Sequence, residues 1–139
     1  MSTRCQIGIY DSKEKKLKDF KVLLYRHSDG YPEGVLPDIE PFLKWWKDQR
    51  GLDDSEYVGA RLLQFMCNQN DGHGNGLEKI MGKNTDYTGI YGYGICKGFH
   101  SDIEYFYRIY PNKLEVYEVP FMMENFDITK SKLIKTIEL

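Results

Sequence analysis

The sequence predicts an α+β fold in which a mostly antiparallel sheet carries a layer of two helices on one face. Two segments near the start of the chain and three near its end have the patterns of strands, the first of them with apolar residues at every second position. Two segments with a helical spacing of apolar residues lie between them, and strands do not alternate with helices along the chain. The predicted element order is therefore ββααβββ, and a length of 139 residues favours a single domain over 1–139.

The first two strands are predicted to form a hairpin. Cys5, Ile7 and Ile9 share one face of a strand over 5–10, because alternate residues of a strand point to the same side. A second strand over 20–25 follows a lysine-rich connection, which is typical of a solvent-exposed turn.

The two helices are predicted to follow as a helical hairpin. Asp38 can cap the first helix, Pro41 is tolerated in its first turn, and Gly51 ends it. Asp53 and Glu56 resemble a capping box that opens the second helix. The apolar stripe of the second helix comprises Val58, Leu62, Phe65 and Met66.

The last third of the chain is predicted to be rich in strands. The patterns over 88–96, 102–109 and 113–119 indicate strands, and a glycine-rich loop over 71–76 separates them from the helices. Residues 121–139 fit neither the helical nor the strand period, so the structure of this tail stays undecided.

Composition restricts the classes of function. The net charge of -2 and the pI of about 5.9 disfavour binding to duplex DNA, which requires many cations. Three cysteines without a C-x-x-C motif indicate neither disulfides nor a zinc site, and no cofactor-binding motif is recognisable. Because a signal peptide and a long apolar segment are both missing, we expect a soluble, cytoplasmic protein that does not enter a membrane.

The histidines carry the first chemical clue. Imidazole titrates near neutral pH, and a nearby carboxylate orients it and raises its basicity. Each of the three histidines lies two residues from an aspartate: His27 with Asp29, His73 with Asp71, and His100 with Asp102. The first and last pairs share the tripeptide His-Ser-Asp, so His27, Asp29, His100 and Asp102 are candidates for acid–base catalysis if the two segments adjoin. The alternative is that His-Ser-Asp simply forms turns.

Two known kinds of site can be compared with these residues. Together with Glu104 they are competent metal ligands, but no diagnostic spacing such as H-E-x-x-H occurs, so no metal site is assigned. The repeat also resembles the His-x-Thr/Ser motif of two-histidine phosphoesterases. Here Asp29 and Asp102 occupy the hydroxyl position, where a carboxylate would repel a phosphate.

Two binding surfaces are the alternatives to catalysis. The turn-rich segment 26–34 is either scaffold or a ligand-binding rim at a sheet end. With the second His-Ser-Asp segment beside it, the residues of that rim are Arg26, His27, Asp29, Tyr31, His100 and Asp102. The tyrosines of the late strands either stack on single-stranded bases or are simply good strand residues: Tyr91, Tyr93, Tyr105, Tyr107, Tyr110 and Tyr117. A small anionic ligand has Arg26 and Arg108 as candidate partners.

Three segments together resemble a group of small uncharacterised proteins of phages, prophages and microbial genomes. They are the Thr3-Arg4 start, the Arg-His-Ser-Asp-Gly-Tyr-Pro-Glu-Gly segment over 26–34, and the tyrosine-rich run over 102–107. Because no activity is established for that group, the resemblance implies only a context, an accessory protein of a phage or another mobile element.

The sequence therefore supports three hypotheses of function. The leading one is an accessory protein that binds a small anionic ligand or a protein partner at the rim. The second is a small His-Asp or metal-dependent hydrolase of a phosphorylated substrate, and the third is a single-stranded nucleic-acid binder. Whether the chain is an enzyme, and whether it forms a homo-oligomer, stays open.

Overall fold

The chain forms a six-stranded sheet and two helices in the computed structural model, which describes residues 3–14, 16–71, 92–120 and 126–139. The strands are β1 (Cys5–Ile9), β2 (Val22–Arg26), β3 (Tyr93–Ile95), β4 (Tyr105–Tyr110), β5 (Lys113–Glu118) and β6 (Lys132–Glu138), and the helices are α1 (Pro32–Arg50) and α2 (Ser55–Asp71). The strand order is β3-β2-β1-β4-β5-β6, and every neighbouring pair except β1–β4 is antiparallel. The predicted α+β class and mostly antiparallel sheet are confirmed, with β6 as an additional strand.

Two antiparallel halves of the sheet meet at a parallel pair in its middle. β1 pairs with β4 in parallel, with Ile7 opposite Tyr107. Parallel strands cannot be joined by a tight hairpin, and the chain passes through both helices and β3 between β2 and β4. Because β1 and β4 run in the same direction, the residues that precede both strands lie at one end of the sheet.

The helices cover one face of the sheet: α2 lies over β1, β2 and β3, and residues of β4 and β5 belong to the same core. The predicted stripe of α2 faces this core: Val58, Leu62 and Met66 are fully buried and Phe65 is partly buried. At the closest approach, Gly59 of α2 lies against Val22, and a Cβ added there would come within 2.7 Å of the valine Cγ1. A glycine at this position therefore lets the helix lie close to the sheet.

The first helix begins at Pro32 rather than at Asp38. Pro32 suits a first turn, because its ring presets the helical φ and a first-turn amide needs no helical partner. Asp38 does not cap the helix but forms an ion pair with Arg26 at 2.7 Å. Pro37 and Pro41 consequently lie inside the helix, where each removes a backbone hydrogen bond. The predicted start is wrong because burial of the apolar helix face outweighs the cost of these prolines.

We expect Pro41→Ala to raise the free energy of unfolding by about 1–3 kcal/mol, because alanine restores a helical hydrogen bond at an exposed position. Chemical denaturation of the two proteins measures the difference. Pro32→Ala is the matched control, since a proline in the first turn costs no hydrogen bond and its replacement should not increase stability. A Pro41→Ala protein no more stable than the parent would instead place Pro41 in a first turn.

The second helix is capped by Asp54 rather than by Asp53. The Asp54 carboxylate accepts a hydrogen bond from the backbone amide of Tyr57 at 3.2 Å, which is the usual contact of an N-cap side chain. The N-cap of α2 is therefore one residue later than the predicted capping box of Asp53 and Glu56. Two adjacent aspartates fit the same pattern, and only the backbone geometry distinguishes them.

A second core lies on the sheet face that the helices leave uncovered. Phe106 is at its centre, with its ring centroid 6.4 Å from that of Tyr10, 5.2 Å from Phe99 and 6.2 Å from Tyr117. The connections that precede β2 and β4 and the segment that precedes β6 close over these rings. Gly8 makes room for them, since a Cβ there would lie 2.8 Å from the Phe106 Cζ. The central strands β1 and β4 are thus buried on both faces.

The undecided tail ends in an edge strand. After a short 3-10 turn at Ile128–Lys130, β6 pairs with β5, with a register shift between Val116 and Tyr117. Residues 72–76 of the predicted glycine-rich loop and residues 88–91 of the predicted strand lie outside the described residues. Neither helix in the described ranges is both long and apolar enough to cross a membrane.

Candidate functional site

The structure brings both His-Ser-Asp segments to one side chain, the phenol of Tyr25. The ring centroid of His27 lies 6.0 Å from that of Tyr25, and the ring centroid of His100 lies 5.2 Å from it. The Tyr25 hydroxyl is 2.8 Å from Nδ1 of His27. These three rings form a histidine cluster at the end of the sheet where β1 and β4 begin, on the face of the second core.

Arg4 ties the histidine cluster together. Its Nε donates to Nδ1 of His27 at 3.3 Å, and its Nη1 forms an ion pair with Asp102 at 2.8 Å. Asp29 accepts a hydrogen bond from the Tyr31 hydroxyl at 3.1 Å. Within the part of the chain that is described, neither histidine is hydrogen-bonded to the aspartate two residues after it. The suggested His-Asp pairing does not form, because a guanidinium is the stronger partner for Asp102.

The contact with Arg4 makes Nδ1 of His27 a hydrogen-bond acceptor. A guanidinium can only donate, so Nδ1 of His27 is the acceptor in its contact with Arg4. In the neutral ring the proton therefore sits on Nε2, which can donate to a ligand but cannot take up a proton. An oxygen acceptor is the kind of group that this nitrogen can bind.

Gln6 positions His100. The Gln6 side chain is fully buried; its Nε2 donates to the carbonyl of Gly98 at 3.1 Å, and its Oε1 accepts from the backbone amide of His100 at 2.9 Å. No role for Gln6 was predicted, although a glutamine among the apolar residues of a central strand is itself a sign of a buried polar anchor.

Arg26 lies apart from the histidine cluster. It is 3% exposed and lies beneath the helices, where it donates to Asp38 at 2.7 Å and to the carbonyls of Ser28 at 2.9 Å and Gly34 at 3.3 Å. Asp29 adopts a left-handed backbone conformation, with φ of 55°, in the same turn. The predicted rim thus divides in two: His27, His100 and Asp102 belong to the cluster, whereas Arg26, Asp29 and Tyr31 belong to the turn from β2 into α1.

Within the described residues, neither the metal-ligating side chains nor the Cys5 thiol provides a reactive site. Among the described residues, no three His, Cys, Asp or Glu side chains are grouped so that they could hold a metal ion. His73, the third histidine, lies outside them. Burial raises the pKa of the Cys5 thiol to about 12, so this thiol stays protonated and is a poor nucleophile.

The tyrosines of β3 and β4 serve largely as core. Tyr107 is fully buried and its hydroxyl donates to the carbonyl of Gly30 at 2.7 Å. Tyr110 is 6% exposed, and Tyr93 packs against the core beneath the helices. Tyr91 lies outside the described residues. These rings therefore do not present the open faces that stacking on bases requires.

A buried arginine marks a second polar site, at the other end of the same sheet face. Arg108 is 6% exposed, and its guanidinium carbon lies 4.5 Å from the ring centroid of Tyr10 and 4.7 Å from that of Tyr110. Its Nη2 donates to the carbonyl of Glu14 at 3.3 Å, whereas its Nε is buried and has no hydrogen-bond partner among the described residues. Arg108 also forms no ion pair within those residues.

A polar cleft of about 400 Å³, the Arg108 cleft, opens beside this side chain. Besides Arg108, its wall includes Ser12, Glu14, Tyr110, Asn112, Lys113 and Glu115. Both carboxylates are already paired, Glu14 with Lys21 at 3.0 Å and Glu115 with Lys113 at 3.5 Å. Among the described residues, Arg108 is therefore the charged side chain of the wall that forms no ion pair, although Glu115 lies directly opposite it on β5.

The fold and these two sites define an α+β protein that presents polar groups at both ends of one sheet face, with an aromatic core between them. Comparison of the chain with protein-family models, with curated proteins and with solved structures finds no match. The chemistry of the two sites is accordingly the basis for a functional proposal.

Proposed function

We propose that the protein binds a small oxyanion, a carboxylate or a phosphate, in the Arg108 cleft. We further propose that it acts in the cytoplasm as an accessory protein of phage or mobile-element type. The observation that carries the first proposal is a guanidinium buried without an ion-pair partner among the described residues. Burying an unpaired charge is costly, and a ligand that supplies the opposite charge would offset that cost.

The Arg108 cleft offers what an oxyanion needs. Arg108 contributes the charge, and the side chains of Ser12 and Asn112 make no hydrogen bond to any described residue, so their donors are available. Burial raises the pKa values of Tyr110 and Tyr117, which therefore stay neutral and do not repel an anion. A volume of about 400 Å³ lies within the range of small-molecule sites.

Hydrolysis at the histidine cluster is the weaker alternative. A general base must direct a free lone pair at the proton that it removes. His27 instead presents an N–H at Nε2, because Arg4 donates to its Nδ1, and Asp102 is held by the same arginine. At His27 this arrangement favours binding of an acceptor over abstraction of a proton, so a base at the cluster would have to be His100.

Unfolding measurements in increasing phosphate and acetate test the proposal. An anion that binds only the native state adds about 2.7 kcal/mol of stability at a concentration of about 100 times its Kd. We expect this stabilisation to saturate with one of the two oxyanions. Sodium chloride at the same ionic strength should give no saturating effect, and an equal effect of chloride would contradict the proposal.

We expect Arg108→Met to abolish the anion-dependent stabilisation. The free energy of unfolding without anion should change by less than about 1 kcal/mol, because the removal of an unpaired buried charge offsets the loss of the two ring contacts. Arg4→Met is the control, since it removes the same charge at the other end of the sheet face. Stabilisation that survives Arg108→Met would contradict the proposal, and stabilisation lost only in Arg4→Met would move the anion to the histidine cluster.

A further inference from the structure

The outer surface of the helical hairpin carries an aromatic cleft, formed by Phe42, Trp45, Trp46, Tyr57 and Phe65. Phe42 stacks on Trp46 and on Phe65, with centroid distances of 5.8 and 5.2 Å. Tyr57 extends the row, 5.5 Å from Trp46. Trp45 is 56% exposed at the rim of the cleft, which encloses about 330 Å³. An exposed tryptophan beside a cleft of stacked rings is typical of a surface that binds a partner.

Two arginines flank the aromatic cleft. The guanidinium carbons of Arg50 and Arg61 each lie 5.0 Å from the ring centroid of Tyr57. Arg61 also donates to Gln64 at 2.9 Å and to the Tyr57 hydroxyl at 3.1 Å. Neither arginine forms an ion pair with any carboxylate in the described part of the chain. Two positive charges are therefore available to a ligand beside the apolar rings.

We infer that the aromatic cleft binds an acidic peptide segment of a partner protein, in which one large apolar side chain is flanked by carboxylates. The volume of about 330 Å³ is at the lower end for ligand sites, so it suits a single side chain rather than a whole domain. Arg50 and Arg61 match the flanking acids, because a guanidinium binds a carboxylate through two parallel hydrogen bonds. Trp, Tyr and Arg are also the residues that dominate the energetics of protein interfaces.

Other occupants fit the aromatic cleft less well. A single-stranded nucleic acid needs cations along the track of its backbone, whereas this chain has a net charge of -2 and Lys44, on the same helix, is paired with Glu40 at 2.9 Å. A second copy of the chain, bound by two-fold symmetry through the same cleft, would bring like-charged arginines together. The available charge therefore favours an acidic partner.

Peptide selection on the whole protein provides the probe. A random-peptide display library should yield sequences that combine Phe, Trp or Leu with neighbouring Asp or Glu. The chain has 2 tryptophans, Trp45 and Trp46, and both line the cleft, so intrinsic fluorescence reports directly on its occupancy. Synthetic copies of the selected peptides should shift this emission in a saturable way.

We expect Arg61→Gln, which keeps both tryptophans, to weaken the selected peptide about tenfold. Replacing the acids of the peptide by their amides should have the same effect. Arg108→Met is the matched control and should leave peptide binding unchanged, which separates this site from the Arg108 cleft. Circular dichroism verifies that each variant is folded.

Three results would overturn the inference. One is a selection that yields no peptides, or peptides without acidic residues. Another is tighter binding of a single-stranded oligonucleotide than of any selected peptide. The last is self-association of the chain that Trp45→Ala abolishes, which would assign the cleft to a second copy.

Discussion

Arg26→Met is expected to lower the free energy of unfolding by about 3–5 kcal/mol, because it breaks a buried ion pair from one side. The Arg26 side chain is 4% exposed and bonds to Asp38 at 2.7 Å. It also donates to the carbonyls of Ser28 and Gly34, so this one side chain connects β2, the following turn and α1. Urea denaturation followed by circular dichroism measures the loss.

Arg4→Met is the matched control, since Arg4 forms an ion pair of nearly the same length at a more open site. The Arg4–Asp102 pair measures 2.8 Å, with side chains 33% and 36% exposed. Exposed pairs contribute about 0–1 kcal/mol, so the control should lose no more than that. If Arg26→Met also lowers the free energy of unfolding by less than about 1 kcal/mol, the structural role of Arg26 is contradicted. Arg26 would then again be a candidate for ligand binding, as the sequence predicted.

The local elements were largely predictable because each depends on neighbours in the sequence. The first hairpin and the stripe of α2 follow from periodicity, which reports the buried face directly. The parallel pairing of β1 with β4 was not predictable, since it joins segments about a hundred residues apart through contacts that no local pattern encodes. The start of α1 at Pro32 was missed for a related reason, because packing on the sheet decides whether interior prolines are tolerated.

The candidate sites were predictable only in part, for the same physical reason. The repeated His-Ser-Asp correctly drew attention to His27 and His100, yet the residue that joins them is Arg4, which the sequence offered no reason to place there. Arg108 stands in a strand of tyrosines and could be named as a cation. Its burial could not be predicted, because it depends on connections that cover the second face of the sheet.

Phe106→Ala is expected to cost about 3–5 kcal/mol of unfolding free energy, the usual loss for a fully buried phenylalanine. The ring lies between strands on one side and covering connections on the other, with Tyr10 and Phe99 edge-on against it. Gly8 beneath it has no side chain, and Gln6 opposite it is held by its bonds to Gly98 and His100, so β1 does not readily fill the space that the ring leaves. Leu133→Ala, at a 46% exposed position on β6, should change stability by less than about 1 kcal/mol.

Loss of the Phe106 ring should affect anion binding at the Arg108 cleft as well as stability. Tyr10 contacts Phe106 at one end and the Arg108 guanidinium at the other, so a cavity at Phe106 should loosen the wall of the Arg108 cleft. We therefore expect Phe106→Ala to weaken phosphate- or acetate-dependent stabilisation as well as the fold, whereas Leu133→Ala should leave both intact. A loss below about 1 kcal/mol for Phe106→Ala would mean that the sheet is buried beneath the helices alone.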